Sequence, residues 1–110
     1  MIHVIRNEDI QKVLLGTPKD HKHLRVCIKM KDNSFIIFQE ATIANILRSY
    51  MTIKTHPTIR AQQLELKRLT SKELKKDYAT HQLLEVPRDP EEIEDEIKDL
   101  LEKSHHTLDM

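Results

Sequence analysis

Two histidines one residue apart, His21 and His23, are the first side chains whose spacing admits chemistry. On an extended strand such a pair shares one face, and two imidazoles can begin a zinc or copper site. Two ligands do not complete one. No cysteine pair or second spaced histidine pair lies nearby in sequence, so no metal and no cofactor is expected. His105 and His106 fall in a segment read as a frayed tail.

Cys27 is the only cysteine, which excludes an intrachain disulfide. Arg25 and Lys29 flank it at two residues' distance, and positive charge favours a thiolate. A nucleophile also needs a positioned base, and the sequence places none. Ser34, Ser49, Ser71 and Ser104 lack a nucleophile-elbow motif, and Gly16, the single glycine, cannot form a phosphate loop. No catalytic residue is therefore assigned. A small enzyme, its site assembled from residues that no sequence rule links, is the third functional reading.

Nucleic-acid binding is the second. Arg25, Lys29 and Lys31 form one cationic strand face, and Arg60, Lys67 and Arg68 lie in a basic segment read as helical; both could meet phosphates. Against this, formal net charge is zero and there is no Trp. Aromatic residues are not interleaved with the basic ones, as a single-strand-reading sheet requires.

The leading reading starts from "PRDPEEIEDEIKDLLEK". Residues 1–86 carry 15 Lys+Arg and 9 Asp+Glu, net +6, whereas residues 87–110 carry 3 and 9, net −6. Zero net charge thus conceals a charge asymmetry along the chain. Asp89 is a helix cap, Pro90 suits the first helical position, and Glu92 completes a capping box. Ile93, Ile97, Leu100 and Leu101 then share one edge at i, i+4, i+7 and i+8. That apolar edge must dock on its own domain, on a second copy or on another protein. The function expected is a non-enzymatic protein-interaction or assembly module that self-associates, with these four residues as its partner-binding set.

The elements that would position these residues follow from periodicity. Ile2–Arg6 reads as a short strand and Asn7–Leu14 as a helix stopped by Gly16. Leu24–Lys31 is the clearest strand: Leu24, Val26, Ile28 and Met30 alternate with charged or thiol side chains. Asp32–Ser34 suggests a hairpin turn. Phe35–Phe38, apolar on both faces, reads as the central strand. Glu40–Thr52 is helical, with Ile43, Ile46, Leu47 and Tyr50 as its inner stripe. Thr58 can cap a further helix carrying Ile59, Leu66 and Leu69. Thr70–Glu73 matches a capping box for another carrying Leu74, Tyr78 and Leu84, and residues 58–84 could equally form one helix. The last helix spans about 90–103.

The expected fold is α+β in the order β-α-β-β-α-α-α: a small antiparallel or mixed sheet of about three strands with helices packed on it. Residues 1–104 form one domain and 105–110 the tail. No segment reads as a membrane span or signal peptide, so a soluble, cytoplasmic or otherwise intracellular protein is expected.

Overall fold

The computed structural model describes residues 1–74 and 79–108, with side chains through residue 104. The fold is α+β. A short 3-10 turn (Asn7–Asp9) leads into β1 (Ile10–Gly16), β2 (Arg25–Met30), β3 (Phe35–Gln39) and α1 (Glu40–Thr55). After α1 come β4 (Gln63–Arg68), β5 (His81–Val86) and α2 (Pro90–Leu108). β1, β2 and β3 form an antiparallel meander, and β4 and β5 form a separate antiparallel hairpin.

The alternating segment Leu24–Lys31 does become a strand, and it takes the centre of the meander. Cross-strand partners share a face. One face therefore carries Val13, Ile28 and Ile36 in one row and Leu15, Val26 and Phe38 in the next. The other carries Leu14, Cys27 and Ile37. The β2–β3 turn is built as its residue types suggest. Asn33 takes a left-handed φ of 72°, and Asp32 Oδ1 accepts from the Ser34 backbone N–H at 2.9 Å and from its hydroxyl at 2.5 Å. Those two bonds, the hydroxyl's first, hold the Asp32 carboxyl below its usual pKa.

Four expectations are corrected. Ile2–Arg6 is not a strand, and Asn7–Gly16 is a single turn followed by β1 instead of a helix. Ile10, Val13 and Leu14 fit helical spacing, but so short an apolar run fits a strand equally, and pairing with β2 decides. Gln11 is the extra residue of a bulge, which brings Ile10 opposite Met30. Gly16 ends the strand without a left-handed backbone. Because the outer strand pairs with β2, β3 is left at the sheet edge, and Phe35 and Ile37 are 55% and 61% exposed.

The fourth correction is the helix or helices expected over residues 58–84, where β4 and β5 pair instead. "QLELKR" is rich in helix formers, yet Leu64 and Leu66 also alternate with polar neighbours, and that period is the one the fold uses. The capping-box chemistry at Thr70 does form. Glu73 Oε1 accepts from the Thr70 backbone N–H at 3.0 Å and from its hydroxyl at 2.9 Å, but the box closes a turn between strands. Those Thr70 bonds lower the Glu73 pKa, with Lys67 assisting. Tyr78 lies outside the described residues.

The core is thin. Val26, Ala61 and Ile93 are its buried apolar residues, and among the described residues no large side chain is fully enclosed. The accessible surface is 9309 Å², against about 6,300 Å² for a compact monomer of this mass. The radius of gyration is 16.7 Å, against about 13 Å for a compact domain of this length. The chain by itself leaves an interface-sized area uncovered.

Candidate functional site

Part of the uncovered apolar surface lies on α1. Its apolar residues form a stripe, as their spacing implies, but the stripe points the other way. Ile46, Leu47, Tyr50 and Met51 are 44%, 52%, 53% and 55% exposed, whereas Ile43 and Ile53 are half-buried. The face turned inward is polar. Asn45 is 5% exposed and donates through Nδ2 to Gln82 Oε1 of β5 at 2.9 Å. One turn further on, Ser49 donates its hydroxyl to Gln62 Oε1 at 2.7 Å. The helix is held on the hairpin by amides and hydroxyls while Ile46, Leu47, Tyr50 and Met51 meet solvent. Full burial of each such side chain is worth about 1.5–3 kcal/mol, so the stripe is a strong candidate for contact with protein.

α2 supplies a second open surface. Its start is firmly fixed. Asp89 Oδ1 accepts from the Glu91 backbone N–H at 3.0 Å, as the cap requires. Arg88 donates to Gln63 Oε1 at 2.8 Å and to Glu96 Oε2 at 2.7 Å, and lies 3.8 Å from Glu92. The Glu96 bond raises the Arg88 pKa above its usual value. Arg60 pairs with Glu94 at 3.2 Å. Glu92, Glu94 and Glu96 thus meet Arg88 and Arg60, and of these two cations Arg60 comes from the net-positive part of the sequence.

The apolar edge of α2 divides in two. Ile93 is 5% exposed, and with Ile97 it borders a cleft lined by Gln62, Gln63 and Leu64. Ile97, Leu100 and Leu101 remain 49%, 47% and 56% exposed. Of the four residues singled out in the sequence, one is core and three are open. The helix continues past the expected Lys103 to Leu108.

The cationic residues are not brought together as one surface. Arg25 and Lys29 share a face of the three-stranded sheet, Lys29 lies 5.9 Å from the Phe35 ring centroid, and Lys31 sits beyond the strand end. Lys67 and Arg68 belong to the other sheet. As neighbours on a strand they point to opposite faces, whereas a helix would have kept them closer. Lys67 also pairs with Glu73 at 3.3 Å, and Arg60 with Glu94. His23 Nδ1 lies 3.1 Å from Glu40 Oε2, and His21 is exposed in a turn. Among the described residues no three potential ligands cluster for a metal ion, and no helix is long and apolar enough to cross a membrane.

The orientation of α1 was the feature hidden from the sequence. The clue available was Asn45, Ser49 and Thr52, at i, i+4 and i+7, which mark a continuous polar face with hydrogen-bonding capacity. No family model, curated protein or solved structure matches the chain.

Proposed function

We propose that the protein is a non-enzymatic assembly module that pairs with a second copy of itself through α1 and α2. The observation carrying this reading is the inverted α1: a buried polar face, with Ile46, Leu47, Tyr50 and Met51 open. The apolar edge of α2 beyond Ile93 has matching helical periodicity, so the distal part of α2 from one copy lies along the α1 stripe of the other. Repeated reciprocally, this gives a closed two-fold dimer with two equivalent contacts.

Two further features favour a second copy over a foreign protein. The surface in excess of a compact monomer, about 3,000 Å² per chain, exceeds the ~800 Å² per partner of a standard interface. The net charges of −6 on residues 87–110 and +6 on residues 1–86 are also self-complementary, so two copies attract in the reciprocal arrangement.

Light scattering across a concentration series tests the proposal. The expected particle mass is twice the 13.0 kDa chain. Leu47→Glu, which sets a carboxylate within the stripe beside acidic α2, should give monomers with unchanged helix and strand content. Deleting residues 98–110, which removes Leu100 and Leu101, should do the same. A wild-type monomer at all concentrations, or a dimer that survives both changes, rules the proposal out. Nucleic-acid binding remains the second reading, and the division of the basic residues between two sheets disfavours it.

A further inference from the structure

A cavity of about 610 Å³ opens between the start of α1, the hairpin and the segment 22–25. Its size falls in the range of small-ligand sites, about 300–1,000 Å³. Among the described residues, Lys22, Arg25 and Arg48 are the Lys and Arg side chains that line it, and Glu40 is the carboxylate. Glu40 is already engaged: its Oε2 accepts from the Leu24 backbone N–H at 3.1 Å and lies 3.1 Å from His23 Nδ1. Arg25 uses one guanidinium nitrogen on the His23 and Leu24 carbonyls, at 3.0 and 3.3 Å. The Arg48 guanidinium has no hydrogen-bond or ion-pair partner among the described residues.

The buried Asn45–Gln82 pair also lines this cavity, and its hydrogen bonds fix both amide orientations. The Ala79 carbonyl can only accept, and Gln82 Nε2 lies 3.1 Å from it. Gln82 Oε1 therefore faces Asn45, which must present Nδ2, and that bond is 2.9 Å. Asn45 Oδ1 is left as an acceptor without a partner among the described residues. Ala41, Ala44 and Ala79 complete the lining with short side chains that leave the volume open.

We propose that this cavity binds a small phosphate-bearing molecule, with Arg48 and Arg25 on the phosphate and Asn45 Oδ1 accepting from a hydroxyl or N–H of the same ligand. Guanidinium groups suit phosphate because their N–H fork meets its oxygens in pairs. A concave wall with buried amides favours a compact ligand over a nucleic-acid backbone, which needs an extended groove. The inference does not rest on self-association, since none of the lining residues belongs to the exposed stripe Ile46, Leu47, Tyr50 and Met51.

The test is a titration of the full chain with adenosine monophosphate at fixed ionic strength, followed through the side-chain amide signals of Asn45 and Gln82. The expected result is a saturable shift at millimolar or lower concentration, with inorganic phosphate weaker because it leaves Asn45 Oδ1 unused. Arg48→Gln should weaken binding at least tenfold, the loss of one charge-assisted contact, while Lys29→Gln, on the sheet, should not change it. Ala44→Phe, which fills the cavity without altering charge, should abolish binding while far-ultraviolet dichroism stays constant. No saturable shift, equal affinity in the Arg48→Gln protein, or binding confined to a single-stranded oligonucleotide would overturn the proposal.

Discussion

Ile93→Ala should lower the free energy of unfolding by about 2–5 kcal/mol, the largest single-residue loss expected in the chain. Ile93 is the most buried aliphatic side chain, at 5% exposure, and it fastens α2 beside Gln62, Gln63 and Leu64. The cost combines lost transfer free energy with the void left behind. Leu100→Ala, on the same edge but 47% exposed, should change the unfolding of the isolated monomer by less than about 0.5 kcal/mol. Urea denaturation of both variants in the Leu47→Glu background, where chains are separate, makes the comparison. Equal losses would mean that the distal part of α2 is packed on its own chain.

The edge containing these residues was legible in the sequence, because capping and periodicity are both local. Asp89 caps, the helix starts at Pro90, and the apolar positions share a side. How the four positions divide was not legible. Whether Ile93 or Leu100 meets protein depends on where the hairpin lies, and over residues 58–84 the brief alternation at Leu64 and Leu66 was outweighed by a composition that favours helix. β2 and the Asp32–Ser34 turn were readable for a related reason: alternation and turn chemistry need no knowledge of distant segments. β1 was missed because Ile10, Val13 and Leu14 satisfy two periods at once, and only pairing with β2 separates them.

The second large effect concerns the buried amide pair. Asn45→Ala should cost about 1–3 kcal/mol, because Gln82 Oε1 keeps its burial and loses its donor. Replacing both residues by leucine should be close to neutral, since no buried group is then left unpaired and both sites gain apolar volume. The four corners of this cycle, measured by chemical denaturation, isolate the coupling of the pair. If Asn45→Ala proves as mild as an exposed substitution, the pair does not hold α1 on the hairpin, and the inversion of the helix has another origin. The pair itself was invisible in the sequence: 37 residues separate Asn45 from Gln82, and no local pattern joins them.

The thin core also fixes how the protein responds to heat. The heat-capacity increment of unfolding follows the apolar area exposed, and a fully packed chain of this length would show about 1.5 kcal/mol/K. A separated chain that has already exposed much of that area should show a distinctly smaller increment, hence a flat stability curve and a broad calorimetric transition. Pairing restores the missing apolar burial, so the increment per chain should grow when copies associate, and the transition midpoint should climb with protein concentration. Scanning calorimetry over a wide concentration range would then read the state of assembly directly from the sharpness of the melt.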